Sequence, residues 1–176
     1  MAAFCLTEPS TGSDASSVQT RAVLQPDGNY KMNGGKIWIT GGGLAEIFTV
    51  FAQVPVTQDD GSVKDKMTCF IVERAFGGVS NGPPEKKMGI KASNTCEVYF
   101  DDVIIPPENI IGEVGEGFKI AMEVLNSGRF GMGAVLNGTQ KALIERAIGF
   151  AKDRTQFRDK IYKYVKFKVV RMEIII

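Results

Sequence analysis

The residues able to do chemistry fall into two short runs near the N-terminus and two arginines further along. Phe4-Cys5-Leu6-Thr7-Glu8-Pro9-Ser10-Thr11-Gly12-Ser13-Asp14 leads an extended apolar run into a Ser/Thr/Gly turn. Backbone N–H groups and hydroxyls gathered in such a turn can hold an anion such as a pyrophosphate, although turns of this composition are common without a ligand. Lys36-Ile37-Trp38-Ile39-Thr40-Gly41-Gly42-Gly43 sets the single tryptophan two residues from Thr40, so on a strand both project from one face. An aromatic plane beside a hydroxyl suits a large planar ligand, which stacking and one directed hydrogen bond would orient. Taken alone, the run reads more commonly as a core tryptophan. Arg129 and Arg154 carry guanidinium groups suited to phosphates, but most helix-surface arginines are simply solvated.

Other chemistries are excluded by what the chain lacks. It has no histidine, so imidazole acid/base work, Ser-His-Asp and Cys-His nucleophiles and His-bearing metal sites cannot be built. No GxxxxGK[ST] loop is present, and Gly112, Gly115 and Gly117 do not fit GxGxxG opening a helix after a parallel strand. Glu8 before a proline, Asp101-Asp102 after a strand, and Glu113 and Glu116 in a loop offer no evident acid/base pair. Cys5, Cys69 and Cys96 are odd in number and far apart, which argues against a disulfide framework or metal motif and for a reducing compartment. A net charge of +1, from 21 basic and 20 acidic residues, leaves no footprint for nucleic acid or an anionic membrane.

Positioning these side chains requires a β-domain followed by a long helix. With 176 residues and 44% hydrophobic content the chain can bury a sizeable core. From Phe4 to about Ile111 short β-runs alternate with Gly- and Pro-rich joints. Asn33-Gly34-Gly35, between Tyr30/Met32 and Ile37/Ile39, predicts a hairpin, because Asn-Gly supplies the positive φ of a tight turn. Phe48, Val50 and Ala52 alternate with Thr49, Phe51 and Gln53, predicting a central strand apolar on both faces. Met67–Glu73 and Glu97–Val103 alternate more clearly as strands. After Pro106-Pro107 and the loop Gly112–Gly117 the period changes from about two to about 3.6. Ala121, Val124, Leu125, Met132, Val135, Leu136, Leu143, Ala147 and Phe150 then predict one long helix, or two joined near Gly128 and Gly131. About 30 helical residues would reach roughly 45 Å, longer than a domain of this size needs, so the helix calls for partner helices. The apolar stretches, such as Ile47–Val56, are too short for a bilayer-spanning helix. The tail, residues 161–176, mixes lysines with aliphatics and gives only a weak membrane-surface signal beside the plainer reading of a helical element. The expected fold class is α+β: an antiparallel, barrel-like β-domain followed by the long helix of an incomplete helical bundle.

Taken together and in order, FCLTEPSTGSD (Phe4–Asp14), NGGKIWITGGG (Asn33–Gly43), MGIKASNTCEVYFDDVIIP (Met88–Pro106), GEGFKIAMEVLNSGRF (Gly115–Phe130) and DRTQF (Asp153–Phe157) resemble the acyl-CoA dehydrogenase family of flavoproteins. GPPEKKMGIKASNT with NSGRFGM is most similar to its very long-chain branch and that branch's close relative in complex I assembly. The resemblance implies that residues 1–111 form the family's middle, flavin-facing β-domain. It implies that residues 112–176 begin its C-terminal helical domain, departing from the family pattern after about Lys160. It further implies FAD as cofactor, oxidation of a long-chain acyl-CoA to a trans-2-enoyl-CoA, and a place in mitochondrial β-oxidation, in the matrix or at the inner membrane. By the same resemblance Phe4, Leu6 and Thr7 would meet the flavin ring, and Gly12 and Ser13 the pyrophosphate. Trp38, Ile39 and Thr40 would line the opposite side of the ring, and Arg154 would reach FAD across a subunit interface. Asn126 and Arg129, with Ser13, match positions facing the acyl-CoA. The implied partners are electron-transfer flavoprotein as electron acceptor and further copies in a dimer or tetramer. The family's usual catalytic base, a Glu in the C-terminal bundle, is expected beyond Ile176, so no catalytic residue is assigned and the chain by itself is expected to be inactive.

Overall fold

The computed structural model describes residues 1–164. Its strands are β1 (Ala2–Cys5), β2 (Arg21–Leu24), β3 (Tyr30–Thr40), β4 (Ile47–Thr57), β5 (Val63–Glu73), β6 (Val79–Asn81), β7 (Thr95–Ile105) and β8 (Ile110–Ile111). They join in one sheet of order β6-β7-β3-β2-β4-β5-β8, with β1 also on β4. The helix α1 (Gly117–Asp153) follows, then the two-residue strands β9 (Thr155–Gln156) and β10 (Asp159–Lys160). The α+β class holds, with two corrections. Among the described residues the sheet is an open path rather than a closed barrel, and it is mixed rather than antiparallel. β4 pairs antiparallel with β5 along one edge, from Ile47↔Glu73 to Thr57↔Val63. Its other edge takes two parallel partners, β1 from Ala2↔Ile47 to Cys5↔Val50 and β2 at Arg21↔Gln53. The chain leaves β4 after Cys5 and rejoins the same edge in the same direction at Arg21. Parallel pairing therefore follows from an excursion over residues 6–20 rather than from a turn.

The expected hairpin at Asn33-Gly34 is also corrected. β3 runs unbroken through it and pairs with β7 on both sides, Met32 with Val103 and Gly34 with Phe100. There Asp101 and Asp102 of β7 face Asn33 alone, a bulge in which the Asn33 amide donates to Asp102 Oδ1 (2.9 Å) and accepts from the Asp102 N–H (2.9 Å). The turn lies earlier, between β2 and β3. Pro26-Asp27-Gly28 closes it, with Gly28 at φ +88 and its N–H on the Gln25 carbonyl (3.0 Å).

β4 is central, as expected, because Phe48, Val50, Phe51 and Ala52 are all buried. The core joins them to Met32, Phe70, Val72, Val98, Phe100, Val103 and Ile105 from the neighbouring strands. Edge-on aromatic pairs, Tyr30 with Phe70 at 5.4 Å and Phe48 with Phe100 at 6.4 Å, fix its packing.

Two compact units divide at Val124/Leu125. α1 is one continuous helix of 37 residues, about 55 Å long, with no break at Gly128 or Gly131. Gly117 opens it against β5, where a Cβ would lie 2.8–2.9 Å from the Thr68 and Met67 backbone. Within Leu125–Tyr164, Phe130, Met132, Val135, Leu136, Leu143 and Phe150 are exposed. No described helix is long and apolar enough to cross a membrane. The basic-aliphatic signal of residues 165–176 lies outside the described residues.

Candidate functional site

The excursion over residues 6–20 is built around two buried charges. Glu8 and Lys36 face each other at 2.7 Å with side chains 4% and 0% exposed. Lys36 Nζ donates to Glu8 Oε1 (2.7 Å), the Leu6 carbonyl (3.1 Å) and the Phe51 carbonyl (2.7 Å), which satisfies all three of its protons. Glu8 also accepts from the N–H groups of Gln19 (2.6 Å) and Thr20 (3.0 Å) and from the Thr20 hydroxyl (2.7 Å). Burial acts to raise the Glu8 carboxyl, but the bonds from Lys36, Thr20 and Gln19 outweigh it and hold the carboxyl below its ordinary range. Burial pushes the Lys36 ammonium down from its ordinary value, with Glu8 opposing the shift. The excursion is thereby pinned to β3, β4 and the start of β2. Its tip is tightened by paired Glu8–Thr11 backbone bonds (2.9 and 3.0 Å) and by Asp14, which accepts from the Ser16 and Ser17 hydroxyls.

The second part of the site is a bulge in β3. Lys36 pairs with Val98 and Ile39 with Cys96, so Ile37 and Trp38 together face Glu97. Trp38 takes φ +59, a conformation costing a bulky L-residue about 1–2 kcal/mol and kept only where its surroundings impose it. The freed Ile37 N–H donates to the Thr7 carbonyl at 3.0 Å. The bulge thus re-aims the strand and ties Thr7 to it. Trp38 is 63% exposed, Thr40 is exposed and Ile39 between them is buried.

Past Thr40 the chain turns sharply. Gly41 and Gly43 N–H groups donate to the Asn94 carbonyl (2.8 Å) and side chain (3.0 Å). Arg74 donates to the Gly42 and Ala45 carbonyls (both 2.9 Å) while lying 5.1 Å over the Phe48 ring.

Of the residues expected to meet a flavin, the structure brings Thr7 to the Trp38–Thr40 strand. Phe4 is half-buried with its ring 5.1 Å from that of Phe51, Leu6 is buried, and Gly12 and Ser13 are exposed on the pinned excursion. In the second unit, Arg129 Nη1 donates to Asn126 Oδ1 at 2.7 Å, so these two are brought together. Arg154 follows the helix end, 25 residues beyond Arg129 or about 37 Å of helical rise away, with its guanidinium 5.8 Å over the Phe150 ring. Sequence reasoning missed Lys36, Arg74 and Asn94 as supports and left Glu8 as a turn residue. Their partners are 28, 32 and 51 positions distant, beyond any local spacing rule. Nothing local marked them: β3 carries Lys31 as well as Lys36, and only the second is buried. Among the described residues no cluster of His, Cys, Asp or Glu could hold a metal ion.

Comparison with known proteins decides the lineage. Residues 3–103 match the acyl-CoA dehydrogenase middle domain, and residues 115–176 match the acyl-CoA dehydrogenase C-terminal domain. The chain belongs to the acyl-CoA dehydrogenase family. It is 61% identical to the very long-chain specific acyl-CoA dehydrogenase, mitochondrial, of Bos taurus, over 98% of this chain and 27% of that protein. The chain therefore spans about a quarter of that relative's length. Among solved acyl-CoA dehydrogenase structures, butyryl-CoA dehydrogenase from Megasphaera elsdenii superposes with a TM-score of 0.83 at 41% identity, over 99% of this chain and 44% of that one. An acyl-CoA dehydrogenase complexed with FAD from Bacillus anthracis gives 0.79 at 40%, over 94% of this chain and 27% of that one.

Proposed function

We propose that this chain supplies the flavin-facing wall, and part of the acyl-CoA surface, of an FAD-dependent dehydrogenase of long-chain acyl thioesters in mitochondria. The observation carrying the reading is the junction at which Thr7 is tied to the Ile37–Trp38 bulge, with an exposed indole and the Thr40 hydroxyl on one strand face. These residues fit a large planar cofactor. An exposed indole offers stacking area, threonine hydroxyls and strand N–H groups offer directed bonds, and Gly12 leaves open space where a Cβ would otherwise stand.

In this reading Trp38, Phe4 and Leu6 exclude water from the ring, Ile39 backs the strand from the core, and Thr7 and Thr40 donate to its polar edge. The backbone N–H groups of Gly12 and Ser13 hold the pyrophosphate, and Arg154 meets the phosphates of a neighbouring copy. Asn126, Arg129 and Ser13 orient the acyl-CoA, which places the α C–H toward a base and the β C–H toward the ring. When bound, FAD supplies the acceptor for the β hydride, so that loss of the α proton leaves a Cα=Cβ double bond. None of this chain's residues is proposed as the base. The reduced protein would pass electrons to electron-transfer flavoprotein, and homo-oligomers complete the Arg154 contact. The domain division at residues 111/112 belongs to the same reading, supported by the family matches to residues 3–103 and 115–176.

Titration of the chain with FAD tests this directly. A resolved flavin absorption band and quenched flavin fluorescence, saturating at about micromolar ligand and weakened in Trp38→Ala, are expected. Unchanged flavin spectra at about a hundred times that concentration would defeat the reading. The exposed Phe130, Val135, Leu136 and Leu143 favour a second reading, a segment that packs against homologous subunits without turnover. Mixing the chain with FAD, a long-chain acyl-CoA and an electron-accepting dye separates the two, because turnover would end the second.

A further inference from the structure

Lys36 has no place in the proposed contacts with cofactor or substrate, yet it is the most completely enclosed charge described. A buried ion pair is a poor stabilising device, since desolvating two charges offsets most of their attraction and apolar residues of like volume often serve as well. Its placement points elsewhere. The residues it touches, Leu6 and Glu8, flank Thr7, and its chain neighbour Ile37 donates to the Thr7 carbonyl. Its third bond reaches the Phe51 carbonyl on β4. Glu8, in turn, holds Gln19 and Thr20 at the far end of the excursion that carries Gly12 and Ser13. Trp38, two residues on, stays at φ +59 in a bulge whose other member is Ile37. Seven hydrogen bonds therefore converge on the segment Leu6–Glu8 and on Lys36 and Ile37 facing it.

We propose that Lys36, through Glu8 and the Leu6 carbonyl, is a positioning residue that fixes Thr7 against the Trp38–Thr40 strand, and hence the relative placement of the groups that would meet a planar cofactor. The proposal rests on the flavin reading above for the identity of that cofactor, but the placement itself is a property of the chain alone. A lysine suits the task because one ammonium addresses three acceptors in different directions, whereas an apolar side chain of the same length would fill the volume and fix none of them.

The test uses the full chain with Lys36→Met, which keeps the stem and removes the ammonium, Lys36→Arg, which keeps charge and donors, and Glu8→Gln, which keeps shape and removes the charge. Without cofactor, amide exchange at Ile37 and acrylamide quenching of Trp38 fluorescence report this junction, and Val103 exchange reports the distant part of the sheet. In folded Lys36→Met, Ile37 exchange and FAD dissociation constant are each expected to rise by about 10- to 100-fold, the size of losing charge-assisted bonds. Val103 exchange is expected to stay within about threefold. The Arg variant keeps the charge but spreads its donors in one plane on a larger group, so it is expected to recover only part of the loss. If Lys36→Met does not fold, Glu8→Gln carries the same expectation at about tenfold. Ile37 exchange within threefold of the unmodified chain in either folded variant overturns the proposal, as does equal acceleration at Ile37 and Val103. Absence of FAD binding by the unmodified chain overturns the flavin reading alone, because Ile37 exchange still decides the positioning role.

Discussion

Gly34→Ala is the most searching perturbation of this architecture, because it acts on the buried Glu8 from the opposite side without touching any ionisable group. Gly34 lies at φ +151, and a Cβ there would stand 2.6 Å from Thr20 Oγ1 and 2.8 Å from Thr20 Cα. Reaching ordinary contact of 3.4 Å requires Thr20 to withdraw by about 0.6–0.8 Å. Thr20 is only 2% exposed and donates through both N–H and hydroxyl to Glu8 Oε1. A retreat of that size loses at least one bond to a carboxylate, about 1.5–3 kcal/mol, and the positive φ adds about 1–2 kcal/mol. The expected cost is about 2.5–5 kcal/mol, or a fall in Tm of about 5–20 °C for a chain of this length. Gly28→Ala is the matched control, since Gly28 has φ +88 but nothing within 4 Å of its Cβ position. It carries the backbone term alone, about 1–2 kcal/mol. Urea unfolding of both variants, repeated in a Glu8→Gln background, separates crowding from conformation. The Gly34→Ala cost should shrink by about 1 kcal/mol or more in that background, because the lost bonds are weaker there. Equal costs for the two glycines, or no coupling to Glu8, would refute the argument that Thr20 is pressed between Gly34 and the buried carboxylate.

Three further outcomes follow from the same contacts. Gly12→Ala, with no atom within 4 Å of the new Cβ, should raise stability by about 0.4–1 kcal/mol in thermal unfolding while weakening FAD binding. An unchanged FAD affinity would remove Gly12 from the site. Burial pushes the Cys5 and Cys69 thiols up to about 12, so alkylation at pH 8 should run at least about a hundredfold slower than in urea, and labelling at the denatured rate would contradict the packing. Because the Glu8 carboxyl is held below its ordinary range in the fold, its contribution is complete above that range and is lost as the pH falls through the lower folded value. Acid unfolding should accordingly be shallower in Glu8→Gln, and identical acid profiles would mean that Glu8 does not govern this limb.

How much of the molecule is legible in its residues depends on the range of the forces involved. Alternation identified β4, β5 and β7, and the change of period placed α1, because burial on one face repeats every two or 3.6 residues and is visible in any short window. The same window misread Asn33-Gly34. An Asn-Gly pair signals a turn only if the strands around it pair with each other, and here both flanks pair with β7 across a bulge that Asp102 completes. Pro26-Asp27-Gly28 carried the actual turn. Likewise the barrel-like antiparallel expectation failed where β1 and β2 meet β4, since the direction of a strand is settled by where the intervening chain is pinned.

The ordered motifs from Phe4 to Phe157 were sufficient for the family, because each is a contiguous run whose identity does not depend on how the chain folds around it. What holds those runs apart at working distance was not written locally. Lys36 reads as one of two lysines in β3, and Glu8 as one acid before a proline. Only the tertiary fold brings them to 2.7 Å in a site that excludes water. A charge interacts with whatever the chain's path delivers to it, so the partner 28 positions away is a product of topology, whereas hydrophobic periodicity is a property of the chain itself.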